Sequence, residues 1–144
     1  MKVISKHYSE LTVDELYGIL KARAAVFVVE QNCPYQDLDD RDKDAYHIYL
    51  EENGEILAYL RVLKAGVVFD CAAIGRVLTT VRGKGYSTII LNEAIKLAKD
   101  VLLSEKIKIE AQTYAKGMYE KLGFMQTSEE FLEDGIPHIE MTLC

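Results

Sequence analysis

The strongest constraint on the chain lies at positions 74–87, Ile-Gly-Arg-Val-Leu-Thr-Thr-Val-Arg-Gly-Lys-Gly-Tyr-Ser, where an apolar strand runs through an Arg-Gly-Lys-Gly turn straight into a helix. The helix is amphipathic: Ile90, Leu91, Ala94, Ile95, Ala98, Val101 and Leu102 recur at helical spacing and form one apolar face. Gly83 and Gly85 let the backbone curl so that successive N–H groups point inward. The helix start adds the positive end of its dipole, and Arg82 and Lys84 add full charges. Such a turn is a cradle for the phosphates of an anionic cofactor.

Around it, hydrophobic periodicity predicts a first strand over residues 3–8, then a helical region after Thr12, a natural N-cap with Glu15 three residues on. Leu16, Ile19, Leu20, Arg23, Ala24 and Phe27 carry that helical pattern to about Val29, with a break expected near Lys21. Residues 45–51 and 55–63 alternate as strands around an Asn53-Gly54 hairpin turn, and residues 67–79 form a strand long enough for a bulge. After the long helix come a strand over 106–111, a short helix over 114–122 closed by Gly123, and an antiparallel pair over 124–131 and 136–143. Three consecutive strands precede the glycine turn, so the expectation is a mixed α+β fold, not a doubly wound one. It predicts a mixed central sheet of about six to seven strands with about four helices.

At 144 residues, nearly half of them apolar, the chain reads as one domain spanning 1–144, large enough to bury a core without disulfide or metal. A formal charge of −6 argues against nucleic acid and against an anionic membrane surface as partners. No stretch has the apolar length of a signal peptide or of a membrane span, and the expectation is a cytoplasmic protein. Cys33, Cys71 and Cys144 have no metal or finger spacing, so they read as reduced thiols, Cys71 in the core and Cys33 a weak candidate for a reactive one.

Three phosphate-binding patterns compete for the glycine turn. A P-loop would need glycine at Leu78 and a hydroxyl at Gly85. A dinucleotide fingerprint would need glycine at Thr88, with Glu105 or Glu110 forced into the ribose role. The third, Arg-x-x-Gly-x-Gly/Ala, is met by Arg82, Gly85 and, with a small hydroxyl residue in the last place, Ser87. The stretch 77–87 is similar to the acetyl-CoA-binding motif of the GCN5-related N-acetyltransferase (GNAT) family, and Tyr119-Glu-Lys-Leu-Gly-Phe124 resembles its Tyr-x-x-x-Gly-Phe signature. Residues 23–35, 74–77, 111–112 and 132–139 together resemble the ElaA-like subgroup.

The resemblance implies an acyl-CoA N-acyltransferase fold and direct transfer from acetyl-CoA, as cosubstrate, to a primary amine of a small molecule or protein, with no metal. It places the pantetheine and thioester along Val77, Leu78 and Thr79, with Gln112 as a further contact. The pyrophosphate falls over Arg82, Gly83, Lys84, Gly85, Tyr86 and Ser87. The family commonly has proline where Thr79 stands, so the strand exit is expected to be less rigid, and Ser87 is expected to cap the helix or bond a phosphate. Tyr119 takes the place of the general acid, a phenol with an ordinary pKa of about 10.

On the acceptor side, Glu30 is a candidate base or substrate anchor and His138 a candidate substrate contact, while His47 reads as structural. Asp40, Asp42, Asp44 and Glu51 fall at calcium-loop positions, but Ala45 stands where the turn needs glycine, so the acidic run 37–44 reads as a solvated loop, with attraction of a cationic acceptor as the alternative. A monomer or a homodimer paired through the terminal strands is compatible with the pattern. The competing function from another class is a non-catalytic CoA-binding module, against which Tyr119 stands.

Overall fold

The computed structural model describes residues 1–144. Eight strands form one mixed sheet: β1 (Lys2–His7), β2 (Tyr46–Glu52), β3 (Glu55–Leu63), β4 (Ala72–Thr79), β5 (Ile107–Gln112), β6 (Met125–Gln126), β7 (Phe131–Glu133) and β8 (Ile136–Leu143). Their order is β1-β2-β3-β4-β5-β8-β6, with β7 also on β8. Only β4 and β5 run parallel, because α2 (Tyr86–Asp100) crosses over between them. The other helices are α1 (Val13–Arg23) and α3 (Lys116–Lys121). No helix is long and apolar enough to cross a membrane.

Local chemistry explains most of these elements. Thr12 Oγ1 accepts from the Glu15 N–H while Glu15 Oε1 accepts from the Thr12 N–H, a complete capping box. Asn53 and Gly54, at φ 52° and 79°, turn β2 into β3 as the left-handed pair the hairpin requires. Gly123, at φ 101°, ends α3: its N–H reaches Glu120 O and the Phe124 N–H reaches Tyr119 O, the paired bonds of a Schellman cap.

The sheet buries both faces. Ile90, Leu91, Ala94, Leu97 and Ala98 of α2 pack on Ile48, Leu60, Ile74, Ile107 and Ile109, where each fully buried Ile or Leu stabilises by about 1.5–3 kcal/mol. On the other face Ile19, Ala22, Val26 and Phe27 cover Tyr49, Tyr59 and Leu78.

Four expectations change. The helix does not break at Lys21; it runs to Arg23 and widens into a π-helical segment, Ala24–Glu30, which turns Val26 and Phe27 inward. The strand expected from residue 67 begins at Ala72, because Gly66, at φ 94°, closes a turn by donating its N–H to Phe69 O. The strand expected over 124–131 divides into β6 and β7, since Ser128 leaves the ladder to accept from the Glu140 N–H. The C-terminal strand β8 is interior, flanked by β5 on one side and β6 and β7 on the other, so of the two terminal strands only β1 offers an edge.

Candidate active site

The site arises where β4 and β5 part. They pair only through Ala72–Ile107, Ala73–Lys108 and Ile74–Ile109, and then diverge. On the other side of β4 the register jumps from Arg61–Gly75 to Tyr59–Leu78, so Arg76 and Val77 together face Leu60. This is the expected bulge; Arg76 holds it at φ 54°. Beyond it, Thr80 donates its N–H to Leu57 O and its hydroxyl to Ile56 O, which anchors the strand exit that proline usually stiffens. The wedge opens into a cavity of about 850 Å³.

Val77, Leu78, Thr79, Arg82, Gly83, Gly85, Tyr86, Ser87, Gln112, Tyr119 and His138 all line that cavity. Lys84 and Glu30 do not. Gly83 and Gly85 sit at φ 76° and 72°, and a Cβ at either would meet nothing within 4 Å, so the turn needs their backbone freedom, not their small size. Gly85 is the N-cap of α2 and no side chain caps the helix, Ser87 included. The first N–H groups of α2 are therefore left without intrahelical partners at the mouth of the cavity. The Arg82 guanidinium, exposed, pairs with the Glu30 carboxylate, which joins the turn to the π-helical segment.

Tyr119 is buried against Phe124, edge to face, yet its hydroxyl has no hydrogen-bond partner in the protein. Arg61 Nε is the sole buried side-chain polar atom without a partner, so the Tyr119 hydroxyl is open to the cavity it lines. Its phenol is not the unperturbed group expected from sequence. Burial, then the neighbouring Tyr114, push its pKa above the ordinary value, and the group stays protonated throughout the neutral range.

The acidic loop overturns a sequence expectation in part: Asp40 and Asp44 are exposed, but Asp37, Asp39 and Asp42 bind Arg23, Arg61 and Arg76 in a lattice of three carboxylates and three guanidiniums, buried at Asp42, Arg23 and Arg61 and half-buried at the other three. Arg23 reaches Asp42 at 2.7 Å and Asp37 at 3.0 Å, and Arg61 reaches Asp39 at 2.6 Å and Asp42 at 2.9 Å. Burial alone would raise the Asp42 pKa, but the hydrogen bonds and charges of Arg23 and Arg61 carry it down. His47, buried, donates from Nε2 to Asp42 O at 2.9 Å and accepts from the Tyr59 hydroxyl at Nδ1, 2.7 Å away. Burial lowers its pKa, so it is the neutral structural histidine expected. The signal missed was two arginines, Arg23 and Arg61, inside otherwise apolar faces.

Elsewhere on the acceptor side, Gln112 Nε2 lies 3.4 Å from Gln31 Oε1, bridging β5 to the π-helical segment. His138 donates from Nδ1 to Ile136 O at 2.7 Å, which leaves Nε2 facing Glu133 at 3.6 Å. Cys33 is buried with its thiol toward Asp134 O, and burial pushes the Cys71 thiol up, as for core cysteines.

A mixed sheet split between its two parallel strands, with a glycine turn opening a helix over the gap, is the acyl-CoA N-acyltransferase fold. The profile described as an acetyltransferase (GNAT) domain matches residues 5–144, and the chain belongs to the GNAT family. Protein ElaA of Escherichia coli strain K12 is 39% identical over 139 residues, covering 94% of this chain and 91% of ElaA. Among solved structures, an acyl-CoA N-acyltransferase from Pseudomonas aeruginosa matches with a TM-score of 0.93 at 36% identity, covering 100% of both chains. The crystal structure of E. coli ElaA matches with a TM-score of 0.90 at 35% identity over 99% of each. The resemblance to the ElaA-like subgroup thus holds along nearly the whole chain.

Proposed function

We propose that the protein transfers the acetyl group of acetyl-CoA directly to a primary amine, both substrates lying together in the cleft. The observation that carries this is the conjunction of the parted β4 and β5, the uncapped start of α2 and the free Tyr119 hydroxyl around one cavity.

In this reading the α2 N-terminus and the Gly83–Gly85 turn take the pyrophosphate, and Arg82 exchanges Glu30 for it. The cleft-facing edge of β4 beyond Ile74 lends main-chain groups to the pantetheine amides. An N–H at Val77 or Leu78 donates to the carbonyl oxygen as charge develops there, a contribution of about 3–4 kcal/mol to acyl transfer. Tyr119 donates to the departing sulfur; burial keeps its phenol protonated and makes it a reluctant acid, so proton delivery follows C–S cleavage closely but does not precede it. Three free cysteines fit a reducing, cytoplasmic setting.

The test begins with melting in the presence of acetyl-CoA, NAD or ATP, since a ligand held only by the native state raises the midpoint. Acetyl-CoA should raise it and NAD should not. Thiol release across an amine panel then separates an enzyme from a binding module, and Tyr119→Phe should slow release by about 10²-fold with unchanged acetyl-CoA affinity. A rise with NAD alone, or unchanged turnover in Tyr119→Phe, would reject this function or this role respectively.

A further inference from the structure

The cavity does not end at the fork where β4 and β5 part. Ala72 and Ile74 of β4 point into the core under α2, so Ala73 and Gly75, which alternate with them, face the other way, and both line the cavity. The register sets Gly75 beside Arg61 of β3, and Ala73 between Leu63 of β3 and Lys108 of β5. Two small residues thus floor a trench that runs from the fork back along β4 for about 7 Å, two residues of strand. Its far end is apolar. Leu63 and Ala73 pack together there, with Phe69 against them, in a cluster separate from the core under α2. The turn that Gly66 closes on Phe69 O at 2.7 Å brings Val68 to the same cavity, and the Lys108 Nζ lies over the Phe69 ring, 5.4 Å from its centre.

Gly75 itself points to a ligand. Its φ is negative, so the backbone does not call for glycine. A Cβ there would have one neighbour within 4 Å, Arg61 Nε at 3.9 Å, an ordinary contact, so packing within the protein does not call for it either. Glycine inside a strand weakens it, and what it leaves here is room in the cavity. The Tyr119 hydroxyl, on a residue 4% exposed and without a partner, opens into the same volume. Around the fork the walls are polar: Arg61 holds Asp39 at 2.6 Å, and His138 Nε2 faces Glu133 at 3.6 Å. An acyl chain, apolar from its first methylene, would lie against those walls and strip their water. A molecule with its polar end at the fork and its apolar end beyond matches both parts of the lining.

We propose that Gly75 and Ala73 determine acceptor specificity by keeping open an apolar subsite, and that the acceptor carries an unbranched alkyl chain that lies in it; the proposal rests on the acetyl-transfer reading above. The nitrogen stays at the fork, beside the thioester, and the chain passes over Gly75 and Ala73 to end against Leu63 and Phe69. The floor is one strand wide, which suits an unbranched chain better than a ring. Val68, 37% exposed, stands where the trench meets solvent. Each methylene buried there raises kcat/KM by about fourfold, the value of taking one such group out of water.

The experiment measures kcat/KM for thiol release with a series of unbranched primary amines from ethylamine to octylamine, with acetyl-CoA affinity followed by calorimetry. Wild type should gain about fourfold per methylene until the trench is filled. Ala73→Leu, which fills the trench from its floor, should lower the ratio of hexylamine to ethylamine kcat/KM by about tenfold or more while acetyl-CoA still binds. Val68→Asp sets a charge at the open end, on a residue exposed enough to fold normally, and should lower the same ratio; it decides the matter if Ala73→Leu does not fold. A flat series in wild type overturns the apolar subsite. A ratio retained in the folded variants overturns its location. Hexanoyl-CoA preferred over acetyl-CoA by wild type, with that preference lost in Ala73→Leu or Val68→Asp, gives the trench to the acyl chain and overturns the acceptor assignment. No thiol release by wild type with any amine overturns the acetyl-transfer reading and this proposal with it.

Discussion

Asp42→Asn isolates the buried charge lattice. The change keeps the shape of the side chain and removes one of three negative charges that balance Arg23, Arg61 and Arg76. Arg23 is 0% and Arg61 3% exposed, so the surplus positive charge left behind has no water to turn to. Breaking a buried pair on one side costs about 3–5 kcal/mol, and the low end applies here because Asp37 and Asp39 remain and the new amide oxygen still accepts from Arg23. About 3 kcal/mol is a large share of a total stability of roughly 5–15 kcal/mol. It corresponds to a fall in Tm of roughly 6–12 °C for a chain of this length.

Urea unfolding followed by circular dichroism at pH 7 measures the loss, with the slope unchanged if only stability has moved. The acid side gives a second check. The native Asp42 pKa lies below its unfolded value, so its stabilisation is present above about pH 4 and is lost as the pH falls through the native value. The deficit of Asp42→Asn should therefore narrow in acid. Asp40→Asn, whose side chain is 94% exposed, should leave the midpoint where it is. A loss below about 1 kcal/mol in Asp42→Asn would refute the lattice and restore the solvated loop.

Two further outcomes follow from local geometry. Thr12→Ala removes the side-chain half of the α1 capping box and should cost about 1 kcal/mol in the same unfolding assay; an unchanged midpoint would show that tertiary contacts alone hold that helix end. Gly85→Ala and Gly123→Ala both force alanine into the left-handed region, at about 1–2 kcal/mol each. A Cβ at Gly123 would also lie 3.0 Å from Leu143 Cδ1, whereas one at Gly85 meets nothing, so Gly123→Ala should lose more, and equal losses would show that the Leu143 contact yields freely.

Elements governed by near neighbours in sequence were readable without coordinates. The α2 stripe, the Asn53-Gly54 turn, the Gly123 cap and the Thr12 box each draw on fewer than about 16 residues, the span over which periodicity and capping act. The strand exit at Thr79 was read as loosened because proline is missing, and the compensation, Thr80 bound across to β3, is a contact between positions more than twenty residues apart. The π-helical widening at Ala24 also escaped, since nothing in the apolar spacing distinguishes it from an ordinary helix. Arg23, the residue just before it, turns inward to carboxylates 14 and 19 residues away, contacts that no local pattern reports.

Sequence by itself determined the family and the glycine turn ahead of α2, because those features are encoded by residue type at short spacing. Only the folded sheet decided the charges. Whether Asp42 is a solvated carboxylate or the hub of a buried lattice depends on how close partners come and how much water is left between them. Distance and dielectric, which set the strength of every such interaction, exist only once the strands are in register.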